Sequence, residues 1–125
     1  MGSPTLRELL KILFIENHEV FAATVTRQFL SGHSVKVVPS IESARQALRE
    51  NIFDALLVDY DLDDGKGDVL VREVRSARSC PVIIGVSSHE PGNAALWRAG
   101  ASAICSKMDF DQIQTVIDAA LRRNP

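Results

Sequence analysis

Asp59 closes an apolar run, Ala55-Leu56-Leu57-Val58, and opens an acidic, glycine-containing stretch, Tyr60-Asp61-Leu62-Asp63-Asp64-Gly65-Lys66-Gly67. A carboxylate at the end of a buried strand can bind a cation, or act as a nucleophile and carry an acyl phosphate. Similar breaks recur along the chain. Glu16 and Asn17 follow the run Lys11–Ile15, Ser87 and Ser88 follow 82–86, and Lys107 follows 101–105. If these runs are parallel strands, their C-terminal ends meet on one edge of a sheet, where ligands gather in open α/β folds. The set then holds oxygen ligands, a hydroxyl pair and a lysine around one carboxylate. A few oxygen donors suit Mg2+, which keeps several waters and takes one or two carboxylates together with phosphate oxygens. Lysine and hydroxyl groups hold phosphoryl oxygens while charge develops in transfer.

The elements that must position these groups are legible from periodicity. Apolar runs at Lys11–Ile15, 35–38, 53–58, 82–86 and, more weakly, 101–105 are short and lack clean alternation, as strands covered on both faces do. Helical patterns separate them. Phe21, Val25 and Phe29 recur at helical spacing and Gly32 reads as the stop. Ser40 is placed to cap Ile41–Glu50, with Ala44, Ala47 and Leu48 inward. Leu70, Val74 and Ala77 line a third helix, and the fourth spans 91–99, with Pro91 at its start and Gly100 at its end. Phe110, Ile113, Val116, Ile117, Ala120 and Leu121 form the stripe of a fifth, with Asp109 as cap candidate. Alternation of this kind predicts a doubly wound α/β domain, a five-stranded parallel sheet joined by right-handed crossovers with helices on both faces.

Composition narrows the function classes. The 125 residues carry a formal net charge of -2, with 46% hydrophobic and 24% charged residues, which excludes a basic nucleic-acid scaffold. The arginines at 72, 75, 78, 122 and 123 fall at helical spacings and read as solvated faces. Cys80 and Cys105 lack metal-ligand spacing and read as reduced thiols, with the cytoplasm as the expected compartment. No stretch has the length and apolarity of a membrane span. Residues 1–10 read as an extension or a cloning remnant ahead of a domain over 11–125.

The order acidic pair, aspartate, hydroxyl, lysine, each at the end of its own strand, resembles the receiver domain of two-component response regulators, like the single-domain chemotaxis regulator. The resemblance runs from Lys11 to about Arg123. It implies a flavodoxin-like (βα)5 fold in three α/β/α layers with strand order 2-1-3-4-5. It makes Asp59 the phosphoacceptor, Lys107 the lysine that pairs with phosphate and Ser87 the hydroxyl that moves onto the phosphoryl group. Ser88 becomes a phosphate contact, and Glu16, Asn17, Asp59 and the backbone carbonyl of Asp61 become the Mg2+ ligands. The implied partners are a histidine kinase or phosphotransfer protein and a downstream effector, or a second copy, on the face of helices four and five. No direct contact with nucleic acid or membrane is implied. The domain would be a switch with slow self-dephosphorylation and no other turnover.

Several positions leave the family pattern. Asn17 stands in place of the second carboxylate, which predicts weaker Mg2+ binding. Met108 replaces a proline normally preceded by a cis peptide; a cis bond before a non-proline costs about 3–4 kcal/mol, so Lys107–Met108 is expected to be trans. Asp63 replaces a loop proline, and Ile104 stands where an aromatic switch residue is usual. Together these admit a second reading, a pseudo-receiver that binds partners constitutively without phosphorylation. Asp61 and His89, each two residues past Asp59 and Ser87, match variable positions that flank the attacking water. His18 and His33 read as structural or exposed, and Trp97 as packing on the fourth helix unless exposed, when it would mark an interface.

Two other motifs overlap the acidic run. A calcium loop over 59–70 fails because Gly65 falls one position late and Leu70 replaces the bidentate glutamate. The Asp59-x-Asp61 pair resembles a haloacid-dehalogenase-type phosphatase nucleophile, but that motif needs Thr or Val where this chain has Asp63.

Overall fold

The computed structural model describes residues 9–123. Five parallel strands form the sheet: β1 (Lys11–Ile15), β2 (Ser34–Val38), β3 (Ala55–Val58), β4 (Val82–Gly85) and β5 (Ala103–Ile104). Their order across the sheet is β2-β1-β3-β4-β5, the 2-1-3-4-5 arrangement expected. The connecting helices are α1 (Glu19–Phe29), α2 (Ile41–Glu50), α3 (Gly67–Arg75), α4 (Glu90–Ala99) and α5 (Ile113–Arg123). A small antiparallel hairpin, Asp61–Leu62 against Gly65–Lys66, interrupts the passage from β3 to α3.

Strand side chains alternate between the two faces, so each strand feeds two cores. Leu13, Ile15, Leu56, Val58 and Ile83 pack with Ala44, Leu70, Val71 and Leu96 beneath α2, α3 and α4. Ile12, Phe14, Leu57, Val82 and Ile84 pack with Ala22, Val25, Ile113 and Ile117 beneath α1 and α5. The central strands β3 and β4 are buried throughout, which explains their unbroken apolar sequence.

Local chemistry sets most helix ends. Ser40 caps α2 and forms a reciprocal box with Ser43, and α4 ends on Gly100 in the left-handed region (φ 117°). Three expectations need correction. The α1 helix stops without using Gly32, because the backbone of Leu30 already leaves the helical region (φ −126°, ψ 17°) as its side chain turns into the core. Ala77 lies past the end of α3 and is exposed. Asp109 sits at a kink (φ −116°, ψ 29°) in a 3-10 stretch, Lys107–Gln112, that Ser106 caps through its hydroxyl. Among the described residues no peptide is cis, so Lys107–Met108 is trans as expected. No described helix is long and apolar enough to cross a membrane.

Candidate functional site

The polar residues singled out from the sequence meet where the sheet's ladders run out. Asp59 N–H donates to Ile15 O at 3.0 Å and Glu16 N–H to Val38 O at 2.9 Å, each one rung past its strand. Lys107 N–H donates to Ser87 O at 3.1 Å. Each bond ties the backbone of Glu16, Asp59, Ser87 or Lys107 to a neighbouring strand segment, so the sheet sets where these side chains start.

Glu16, Asp59 and Ser87 are the buried polar residues of the described chain, at 1%, 5% and 1% exposure. Lys107 Nζ lies 3.1 Å from Asp59 Oδ2 and 2.8 Å from Glu16 Oε1. The second oxygen of Asp59 accepts from Tyr60 N–H at 2.7 Å, and that of Glu16 from His18 N–H at 3.1 Å. The approach of Lys107 to Glu16 is an ion-pair contact without hydrogen-bond alignment, which leaves Glu16 Oε1 without a directed donor. Burial pushes the Glu16 carboxyl above its ordinary range; Lys107 opposes this and the Asp59 charge reinforces it. Burial acts to lower Lys107, but Glu16 and Asp59 outweigh it and hold the ammonium above its usual value. Two buried carboxylates thus share one cation, and the cluster keeps an excess of negative charge.

Such a cluster fits a divalent cation. Glu16 and Asp59 are the inner carboxylates. Asn17 is exposed at the rim and donates from Nδ2 to Asp63 Oδ1 at 3.2 Å, while its amide oxygen is the group able to ligate. Among the described residues no three His, Cys, Asp or Glu side chains converge as a metal cage. Two carboxylates and an amide oxygen, completed by waters, are a donor set of the kind Mg2+ takes rather than one for a metal that needs a full protein shell.

The mouth of the site is built from the hairpin and the start of α4. Asp61 is exposed, and its side chain binds Lys66 Nζ and, at 3.2 Å, His89 Nε2. The Lys66 and His89 contacts hold its carboxyl below the usual range. His89 caps α4 by accepting Gly92 N–H on Nδ1, so its Nε2 carries the hydrogen that Asp61 receives. Ser87 Oγ accepts from His89 N–H at 3.3 Å, whereas Ser88 is exposed. Asp61 and His89, separated by 28 residues, are therefore joined across the site opening. Ile104 is half-buried against the α2–α4 core.

Some contributors were not legible in the sequence. His18 caps α1 through Nδ1, and His33 ties the start of β1 to α5 by accepting Leu10 N–H and contacting Gln114 Oε1 at 2.7 Å. Asp64 accepts from Ile41 and Glu42 N–H at 2.7 and 3.0 Å, which pins the hairpin to the first turn of α2. Trp97 is 58% exposed rather than packed. Asn93 Oδ1 and Nδ2 meet the Ser87 backbone N–H and carbonyl, contacts that no sequence pattern signalled. Cys80 and Cys105 are unpaired, and burial pushes the Cys105 thiol up to about 11.

A doubly wound (βα)5 sheet with carboxylates, a hydroxyl and a lysine at its strand ends defines the class. The response regulator receiver domain model matches residues 12–118, and the chain belongs to that family. It is a receiver domain of two-component response regulators. The transcriptional regulatory protein ZraR of Escherichia coli K12 is 25% identical over 114 residues, which cover 87% of this chain and 26% of that protein. The chain thus spans about a quarter of the length of the curated relatives it matches. A two-component response regulator from Clostridium difficile is similar in structure at TM-score 0.79 and 23% identity, over 93% of this chain and 99% of that one. A CheY-like receiver domain protein from Methanospirillum hungatei matches at TM-score 0.76 and 18% identity, over 94% and 100%.

Proposed function

We propose that the domain accepts a phosphoryl group on Asp59 from a phosphohistidine of a histidine kinase or phosphotransfer protein. The observation that carries this reading is the Lys107 ammonium set between buried Asp59 and Glu16. An Asp59 carboxylate oxygen attacks phosphorus, a P–O bond forms, the P–N bond to the donor imidazole breaks, and the departing nitrogen takes a proton. Lys107 orients Asp59 before transfer and afterwards meets the new phosphoryl oxygens. Ser87 turns its hydroxyl from the His89 N–H to the phosphoryl group, and Ser88 contributes at the rim. Mg2+, held by Glu16, Asn17, Asp59 and the Asp61 carbonyl, would neutralise charge on the transferring group. Asp61 and His89 would govern access of the water that hydrolyses the acyl phosphate.

The switched surface would be the α4–α5 face, where exposed Trp97 supplies an apolar anchor for an effector or a second copy. The soluble balance of the chain and its family are consistent with a cytoplasmic setting. Incubation with Mg2+ and a small acyl phosphate or phosphoramidate should add one phosphoryl group by intact-mass measurement. Asp59→Ala should abolish the gain. An unchanged mass in the parent protein would instead favour the pseudo-receiver, a constitutive binding module.

A further inference from the structure

Ser87 is held by a side chain from α4. Its N–H donates to Asn93 Oδ1 at 2.9 Å, and its carbonyl accepts from Asn93 Nδ2 at 3.1 Å. One primary amide therefore satisfies both backbone groups of a single residue, as a neighbouring strand would. It does so just beyond the end of β4, where the sheet supplies only the Lys107 N–H. The next residue back completes the fit. A Cβ on Gly92 would lie 2.5 Å from Ser87 Oγ, so the first turn of α4 rests directly on the hydroxyl. Ser87 and the start of α4 are packed as one unit.

We infer that Asn93 is a positioning residue that ties the Ser87 backbone to α4, so that displacement of the Ser87 hydroxyl toward a phosphoryl group moves the helix with it. This rests on the proposed role of Ser87. The amide is the right group for the task because it matches a donor and an acceptor at once; a carboxylate matches only the Ser87 N–H and repels the carbonyl. Half-buried Ile104 presents no aromatic ring to rotate, whereas the Asn93 clamp is a direct mechanical link from site to helix. Trp97 lies one turn further along α4, is exposed, and is the single tryptophan of the chain. It reports the helix's surroundings without labelling.

The test uses the described chain with Mg2+ and beryllium fluoride, a mimic of the aspartyl phosphate. Binding is followed by fluorine NMR and the α4 response by Trp97 fluorescence. In the parent protein, bound beryllofluoride should appear together with a fluorescence change. In Asn93→Ala and Asn93→Asp the bound fluorine signal should persist while the Trp97 change shrinks about threefold or more. Agreement between the two variants guards against a folding defect in either one, and Asn93→Asp should retain the native melting behaviour more closely. A full Trp97 response in either folded variant with beryllofluoride bound would overturn the coupling. Failure of the parent protein to bind beryllofluoride would instead overturn the Asp59 reading, and the coupling with it.

Discussion

The ammonium of Lys107 stands 2.8 Å from a carboxylate oxygen of Glu16 whose side chain is wholly buried. Lys107 is itself only 16% exposed and reaches Asp59 as well. Removing it leaves two buried carboxylates facing each other without a cation. Lys107→Met should therefore destabilise the metal-free protein by about 2–3 kcal/mol, below the range for a fully buried pair because Lys107 keeps some solvent. Urea denaturation without divalent ions measures this, and adding Asp59→Asn should recover most of the loss. Additive losses in the double variant would show that the three groups do not interact.

Asn17 and Asp63 form a second pair with a distinct consequence. Replacing the amide by a carboxylate breaks the 3.2 Å contact from Asn17 Nδ2 and sets two acids against each other. Asn17→Asp should lower the melting temperature of the metal-free protein yet tighten Mg2+ binding by roughly tenfold, since the added charge faces the cation. Calorimetric titration decides it; equal Mg2+ affinities would remove Asn17 from the metal site.

Phe110 anchors the chain just after Lys107. It is 3% exposed, stacks on Phe14 at 5.7 Å and meets the edge of Phe21 at 5.7 Å. Phe110→Ala should cost about 3–5 kcal/mol of stability by chemical denaturation. It should also weaken beryllofluoride binding, because the 3-10 stretch that carries Lys107 loses its anchor.

Asp64 gives the fold an acid-sensitive contact. Its carboxyl is held below the ordinary value of 3.8 chiefly by the N–H groups of Ile41 and Glu42. A lowered folded value means the stabilisation is present above the ordinary range and lost as pH falls through the folded value. Asp64→Asn should melt earlier than the parent at neutral pH, with the gap closing in strong acid. A gap that persists unchanged at acid pH would mean the carboxylate charge contributes nothing at the start of α2.

The strands and the order of their polar ends were readable because burial on both faces forces an apolar run, and a charged residue then marks its end. Asp59 and Glu16 follow directly from that rule, Ser87 as its uncharged polar counterpart, and Lys107 less directly, since its edge strand is only half-buried. Contacts made by side chains to distant backbone were not readable. Asn93 serves Ser87 and Asp64 serves α2 through hydrogen bonds that leave no periodic trace. Histidine is an uncommon cap, so neither His18 nor His89 was marked as one in the sequence, although both close a helix start through Nδ1. Trp97 fits the helical pattern of a packed residue, yet α4 turns it outward; its neighbour Leu96 fills the core instead.

Whether Asp59 carries the phosphoryl group can be read out residue by residue. After incubation with Mg2+ and a small phosphodonor, borohydride reduces an aspartyl phosphate to homoserine, which peptide mass spectrometry locates. Homoserine is expected at position 59 and at no other acidic residue of the 59–64 segment. Homoserine at 61, 63 or 64, or a phosphate retained on Ser87 with position 59 intact, would contradict it.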